Sequence, residues 1–547
     1  MQFSTLAKPA NLILFLVIIA FYVYGLGHLS FVGPDEARYA QVAREMFLRN
    51  DFITPTLGGH LWFEKPALLY WLMIGSYKIF GVSEWSARLG PAICGLVTIF
   101  AVFWLGNRMP DAERRMGTGF CSALILATSF GFIAFSRAAS FDIVITMTTT
   151  WALALFIASE TEPDNKRRKR LLAGFYLFVG LSLLAKGLVG LVIPMGVVGG
   201  YFVVRGKAPA REVWTSLLWG LPLSVVTASI WYGPMFLKHG THFFNEFIVQ
   251  HHFARYLSNT YHHPAPIYYY LVILILLALP WTAFVIDGLV HARTWLWKAD
   301  DSFTRIRTFA LVWIVLPLIF FSFSNSKLPG YILPVLPAMA LIAGERLSLM
   351  LSEDRRTRWA IRTTGLLCVI LVVAAGIYAA RTGEFPVRLA LTITAPLLIS
   401  GAIAVLPLRR PVLQMMLVAV ATGVVAIAAL HLAAPTFAQR DSAKFLLQMA
   451  DAKGYGRTAI YGLQRDDRTP EFYAAGRVAY APDGEPVIYI GLEQIGNEII
   501  RRGEPILVFV PKQDAELFAS QKAVRTDAIG HNERHALIAV GPRLETR

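Results

Sequence analysis

Apolar runs long enough to cross a bilayer recur along this 547-residue chain, and they constrain it more than any motif does. Backbone N–H and C=O groups in hydrocarbon must be satisfied within their own segment, so each run of about 20 residues has to be a helix. The runs are continuous rather than alternating, which excludes barrel strands. A hydrophobic content of 55%, a charged content of 16% and a mean hydropathy of +0.52 fit an integral membrane protein and not a large soluble one. Spans are predicted near 10–29, 86–106, 116–136, 141–159, 171–186, 187–204, 214–237, 267–290, 308–324, 330–350, 361–380, 388–407 and 412–432, about 13 transmembrane helices. Only Lys8 precedes the first run and no small-residue cleavage site follows it, so it reads as a retained helix. Cys94, Cys121 and Cys368 fall inside apolar runs. They are expected to act as small hydrophobes, with no disulfide framework or zinc cluster.

Alternate connections gather the basic residues: Arg108, Arg114 and Arg115; "KRRKR" at 166–170; Arg205, Lys207 and Arg211; Arg293, Lys298, Arg305 and Arg307; Arg346, Arg355, Arg356, Arg358 and Arg362; Arg409 and Arg410. The positive-inside rule makes these loops cytoplasmic and accounts for most of the net charge of +15. Topology therefore explains the basic runs, and no nucleic-acid role is supported.

The opposite face receives two long connections, 30–85 and 238–266. "DEARYAQVAREMFL" and "PALLYWLMIGSYKIFG" in the first have the mixed faces and aromatic content of amphipathic juxtamembrane helices. After the last span the chain changes character. Helix-like "DSAKFLLQMADAKG" and "GLEQIGNEIIRRG" alternate with strand-like "TAIYG", "PILVFVP" and "ALIAVG". The expected organisation is a transmembrane domain over 1–432 and a small α/β domain over 433–547 on the outer face. That domain holds no G-x-G-x-x-G and no P-loop, so no nucleotide is expected.

With the cytoplasmic charges assigned, the ionisable residues of the other face stand out. In "GPDEARYA" (33–40) Pro34 suits the first helical turn, and Asp35 and Glu36 suit the positive end of the helix dipole. Arg38 does not suit that end. It lies three residues from Asp35 on the same face, and an anion nearby would explain it. In "WFEKP" (62–66), the residue before proline is biased toward an extended conformation, which is expected to point Glu64 and Lys65 apart and leave them not simply paired. Asp142 in "SFDIV" is either a site residue or a helix N-cap. Lys186 in "AKGLVG" is either functional or a snorkelling cation. Lys327 and Tyr331 in "SNSKLPGYILP" (324–334) stand at a Pro/Gly-broken helix entrance, with phosphate binding and interfacial anchoring both open. "HHFARYLSNTYHHPAP" (251–266) holds a third of the chain's twelve histidines. His252 and Arg255 share a helical face, and histidines with Glu64 as oxygen partner could hold a divalent metal, zinc, magnesium or manganese. No H-E-x-x-H spacing supports this.

Acids and bases at one rim of a membrane domain, rather than at mid-membrane, disfavour a transporter and suit a reaction on lipid headgroups. Lys and Arg would hold phosphate while Asp or Glu serves as base or metal ligand. Without a nucleotide fingerprint, the activated donor is expected to be a lipid phosphate.

"PDEARYA" after the first span, "FEKP", "FD" opening the fourth, "AKG", "HHFARY…HHPAP…YYY" and "SKLPGYILP" resemble the lipid A aminoarabinose transferases. These are bacterial inner-membrane glycosyltransferases of the all-α GT-C fold, distantly similar to protein O-mannosyltransferases. The ordered motifs run from about 10 to 345; beyond that the chain matches in layout only. The resemblance implies inverting transfer of 4-amino-4-deoxy-L-arabinose from undecaprenyl phosphate to lipid A phosphate, with the active site and C-terminal domain periplasmic. The added amine would offset anionic charge and give resistance to polymyxin and other cationic antimicrobial peptides. It also implies roles by position. Asp35, Asp142 and Glu64 are the catalytic acids, and Arg38, Lys65, Lys186, Arg255, Lys327 and Tyr331 bind substrate phosphate. Glu64, His252 and His263 are the candidate metal ligands. His251 and His262 fall where relatives vary. One departure is "AKG" where relatives often read "TKG". A monomer is expected. The rivals are a GT-C enzyme with a protein or other glycolipid acceptor, and a lipid flippase, which would yield no covalent product.

Overall fold

In a computed structural model of the chain, residues 9–31, 33–109, 116–254, 265–295, 297, 299–352, 359–464, 468–519 and 524–542 are described, side chains at 9–11, 251–254 and 441 excepted. The chain divides into two compact units. The first comprises 1–24, 63–69 and 89–429; the second comprises 25–62, 70–88 and 430–547.

The first unit is helical. Among the described residues eight helices are long and apolar enough to cross a membrane, or nine if one bent pair is a single span. Predicted 141–159 is Phe141–Glu160, predicted 361–380 is Trp359–Thr382 and predicted 388–407 is Val387–Val405. The difference from thirteen has local causes. Predicted 116–136 is Thr118–Ala127 and Phe130–Ser136, bent by 66°. At the bend the hydroxyls of Thr128 and Ser129 donate back to the carbonyls of Leu124 (2.6 Å) and Ile125 (2.7 Å), which competes with the helical ladder. Predicted 267–290 is split by Pro280, which cannot donate to the ladder, into Tyr269–Leu277 and Thr282–Ala292. The two breaks meet: the Trp281 indole N–H donates to the Thr128 hydroxyl at 2.9 Å. Predicted 187–204 is Val189–Arg205, apolar but only 17 residues long.

Charged loops are also pinned. Asp164 caps helix Asn165–Lys186 by accepting from the N–H groups of Lys166 (2.7 Å) and Arg167 (3.0 Å). Arg205 pairs with Asp300 at 2.6 Å, and Lys207 joins them. Arg307 pairs with Glu345, which is fully buried. Thus basic residues read as topology signals also neutralise acids at span ends. Cys94, Cys121 and Cys368 are all buried, which suits small hydrophobes.

The second unit begins with the exit segment. Helix Pro34–Arg49 starts with Pro34 in its first turn, as predicted, and ends on Asn50 in the left-handed conformation. A short hairpin, β1 (Thr56–Leu57) and β2 (His60–Leu61), is organised by Glu45, whose carboxylate accepts from Thr56 Oγ1 (2.6 Å) and the Gly58 N–H (2.7 Å). Helix Leu68–Phe80 follows the hairpin.

The C-terminal stretch builds a five-stranded sheet from β3 (Ile460–Leu463), β4 (Ile488–Tyr489), β5 (Ile506–Pro511), β6 (Arg525–His531) and β7 (His535–Gly541), in the order β4-β3-β5-β7-β6. β3 is parallel to β4 and β5; β7 is antiparallel to β5 and β6. The three strand-like and two helix-like stretches of the sequence became β3, β5, β7, Ala443–Ala450 and Leu492–Arg502. β5 reads as an unbroken apolar run because both its faces are covered. Leu507 and Phe509 pack with Leu446 and Leu447, while Val508 and Val510 pack with Ile495 and Ile499.

Glu498, buried on helix Leu492–Arg502, accepts from Arg501 (2.9 and 2.7 Å), Tyr461 (2.8 Å) and Arg502 (2.9 Å). These bonds, that from Arg501 foremost, hold its carboxyl down to about 2. A depressed carboxyl stabilises the fold above its unfolded value of about 4.3, and that contribution is lost as pH falls toward the folded value. The thermal unfolding midpoint of the full chain in detergent should therefore drop between about pH 5 and pH 3. Glu498→Gln should flatten that slope while lowering the midpoint at neutral pH; an unchanged slope would remove Glu498 from the account.

Candidate active site

Asp142 lies in the first turn of Phe141–Glu160, but it is not the cap. Ser140 is: its hydroxyl accepts from the Asp142 N–H at 3.0 Å. The cap alternative for Asp142 is thereby corrected, because the hydroxyl one residue outside the helix already satisfies that donor. The Asp142 carboxylate instead meets the ammonium of Lys186, the last residue of Asn165–Lys186, and accepts a 3.3 Å bond from Ser140 Oγ. Lys186 is largely covered. Its side chain is 17% exposed, and its nitrogen stands 4.4 Å from the centre of the Tyr331 ring. An ammonium over an aromatic face gains from the ring quadrupole without losing its charge.

The entrance "KLPGYILP" explains how Tyr331 reaches this position. Pro329–Val335 forms a tight 3-10 helix, and Gly330 at its start has no side chain to obstruct Asp142. A Cβ built on Gly330 would overlap the Asp142 carboxylate and approach the Phe135 ring to 2.9 Å. Lys327, 8% exposed, donates to the carbonyls of Ser324 (2.6 Å) and Ala265 (3.0 Å). Tyr270 donates to the Leu328 carbonyl at 3.3 Å. The carbonyl oxygens that accept from the Lys327 ammonium bring no counter-charge to it. Glu64 and Lys65, expected to point apart, form an ion pair of 2.7 Å with both side chains largely buried. Two long adjacent side chains can curl together whatever the backbone bias before Pro66, and burial favours the pair over separate charges.

In the second unit, Arg38 finds its anion on its own helix. Its guanidinium donates to Asp35 at 2.6 Å and lies 5.6 Å from the centre of the Trp62 ring. Asp35 is 58% exposed and Arg38 18%, so the carboxylate faces outward while the cation is partly covered. Glu36 does something different. Both its oxygens accept from Arg88, at 2.9 and 2.8 Å, in a bidentate pair. Arg88 also donates to the Leu26 carbonyl at 2.8 Å and lies over Phe31 at 4.8 Å. Glu84 accepts from Tyr473 at 3.2 Å and pairs with Lys444 at 2.5 Å, and the Tyr473 hydroxyl accepts from the Phe31 N–H at 2.7 Å.

Arg255 and His263 lie outside the described residues, as does the side chain of His252. Among the described residues no three His, Cys, Asp or Glu side chains cluster closely enough to hold a metal. Glu64 is the described member of the expected ligand set; the set as a whole, one carboxylate and two imidazoles, has the donor chemistry of a borderline divalent ion such as zinc. Sequence reading missed the cap Ser140 and the spacer Gly330. "S-F-D" with a hydroxyl one residue before the helix was the available signal for the first; nothing local signalled the second.

Residues 64–232 match the family described as dolichyl-phosphate-mannose-protein mannosyltransferase. A protein of Edwardsiella ictaluri named undecaprenyl phosphate-alpha-4-amino-4-deoxy-L-arabinose arabinosyl transferase is 29% identical over 362 residues, covering 65% of this chain and 62% of that protein. A second of that name from Pseudomonas fluorescens is 30% identical over 378 residues, 68% of this chain and 61% of the relative. The chain thus aligns with somewhat under two thirds of these relatives' length. The crystal structure of ArnT from Cupriavidus metallidurans bound to undecaprenyl phosphate superposes with a TM-score of 0.80 at 23% identity, covering 98% of this chain and 100% of that one. Its apo form gives 0.78. The chain is accordingly a multi-pass membrane protein with the GT-C fold, similar in sequence to proteins named undecaprenyl phosphate aminoarabinose transferases.

Proposed function

We propose that this chain transfers 4-amino-4-deoxy-L-arabinose from undecaprenyl phosphate to a phosphate group of lipid A, at the periplasmic face of the bacterial inner membrane. The observation that carries the reading is the shared fold over 98% of the chain, joined to the activity named for its relatives. An oxygen of the acceptor phosphate attacks the anomeric carbon, the bond from that carbon to the polyprenyl phosphate oxygen breaks, and the electron pair leaves with the polyprenyl phosphate. Direct displacement inverts the anomeric centre. A phosphate monoester is already ionised near neutral pH, so no strong base is required. What the protein supplies is electrostatic stabilisation of the departing phosphate.

Lys186 is suited to this by its setting: Asp142 and Tyr331 fix its ammonium in place, and an arriving phosphate shares it. Lys327 and Lys65 act likewise. Arg38, Arg255 and Asp35 take the roles the resemblance implies, Asp35 orienting the acceptor or stabilising positive charge developing on the sugar. A divalent ion held by Glu64, His252 and His263 would supply Lewis-acid stabilisation of the leaving phosphate. The transferred amine neutralises anionic lipid and lowers the attraction of polymyxin and similar cationic peptides.

Mass spectrometry of lipid A from cells with and without the chain is the direct test, with one added aminopentose as the expected difference. Asp35→Asn and Lys65→Ala, folded in detergent, should each slow transfer at least about 100-fold; wild-type rates in both would sink these assignments. Sugar found on a peptide hydroxyl instead of lipid A, with a rate that collapses below a base pKa, would replace the acceptor.

A further inference from the structure

The sheet of the second unit has a feature that the transfer reaction does not use. β3 and β5 are parallel neighbours, and the strands that follow each of them lie on opposite sides of the pair. From β3 the chain runs through Pro470–Tyr473 to β4 on one side; from β5 it runs through Ala515–Ala519 to β6, beyond β7, on the other. The connections also take opposite faces. Ala474 packs in the layer of helix Ala443–Ala450, whereas Phe518 packs in the layer of Ile495 and Ile499. Parallel neighbours whose following elements lie on opposite sides of the sheet form a switch point, and such switch points are where α/β sheets take ligands.

A cavity of about 860 Å³ stands at this point, lined by Gln464 after β3, Lys512, Gln513 and Glu516 after β5, and Glu533 and Arg534 in the β6–β7 turn. Gln464 adopts the left-handed backbone conformation, φ 58°, which disfavours a residue with a Cβ. Glycine would fit there without strain. Glu533 pairs with Arg440 at 2.7 Å, and the other charged side chains of the described lining are Lys512, Arg534 and Glu516, beside the amides of Gln464 and Gln513. Among the described residues no aromatic ring lines it.

We propose that this cleft binds a phosphorylated saccharide, with Lys512 and Arg534 on the phosphate and with Gln464, Gln513 and Glu516 on ring hydroxyls. The ligand is either a soluble sugar phosphate or the headgroup of a glycolipid. The reading is independent of the transfer reaction, and its test measures binding alone. Full-length protein in detergent is titrated calorimetrically with N-acetylglucosamine 1-phosphate, with N-acetylglucosamine and inorganic phosphate as comparison probes. The sugar phosphate should bind at least about tenfold more tightly than either comparison probe, and Lys512→Ala and Arg534→Ala should each weaken it about tenfold or more. Gln464→Gly should weaken binding yet raise the thermal midpoint. The six polar lining side chains are exposed, and Pro511, the seventh lining residue, is buried; the variants are all at exposed positions and test the cleft and not the fold. Lipid A in the micelle that competes with the sugar phosphate in wild type, and not in Lys512→Ala, assigns the ligand to a glycolipid; absence of competition assigns it to a soluble sugar. No binding, equal binding in both alanine variants, or inorganic phosphate binding as tightly would overturn the proposal.

Discussion

Arg88→Ala will remove about 3–5 kcal/mol of stability, enough to leave little folded protein at 37 °C. The reason lies in what the side chain leaves behind. Arg88 is 3% exposed; it satisfies both oxygens of Glu36, whose side chain is 17% exposed, and the carbonyl of Leu26. Truncation strands a largely buried carboxylate, and breaking such a pair by deleting one partner costs far more than the pair contributes. Lysine should not rescue it, because a single ammonium cannot span both carboxylate oxygens and the carbonyl in the fork geometry of a guanidinium. Glu36→Gln together with Arg88→Met should recover part of the loss, since no charge is then left unpaired. Thermal unfolding of the purified variants in detergent is the measurement. A midpoint for Arg88→Ala within a degree or two of wild type would mean that the Glu36–Arg88 pair does not hold the exit segment.

Gly330→Ala is expected to abolish most activity with little change in folding. The new methyl would occupy the position of the Asp142 carboxylate, so the carboxylate must turn away and Lys186 loses the anion that fixes it beside Tyr331. A displacement of about 1 Å at a positioned group costs on the order of 100-fold in rate, and that is the loss expected in a transfer assay. Gly199→Ala is the control: a Cβ there meets nothing within 4 Å, it lies inside helix Val189–Arg205, and alanine favours helix. Its activity should match wild type. If Gly330→Ala transferred sugar at the wild-type rate while folded, the Asp142–Lys186–Tyr331 arrangement would have no part in the chemistry.

Several elements could be read from the residues because their causes are local. Pro34 in the first turn and the three-residue spacing of Asp35 and Arg38 place the exit helix and its first ion pair. The run "PILVFVP" gives a strand covered on both faces, and "GLEQIGNEIIRRG" gives a helix with one apolar side. The Glu64–Lys65 pair went the other way: backbone bias before Pro66 argued for separation, and burial decided for contact. Ser140 took the capping role that Asp142 had been offered.

Composition and periodicity alone fix that this chain crosses a membrane many times and carries an α/β domain after its last span, because backbone satisfaction in lipid and the covering of apolar faces depend on neighbours in sequence. They also select the charged residues that topology leaves unexplained. Which of those residues meet was decided by tertiary structure: Lys186 reaches Asp142 across 44 positions and Arg88 reaches Glu36 across 52. A buried charge is stable only against a partner of the right sign and geometry, and the identity of that partner is set by how helices pack, which no local pattern encodes.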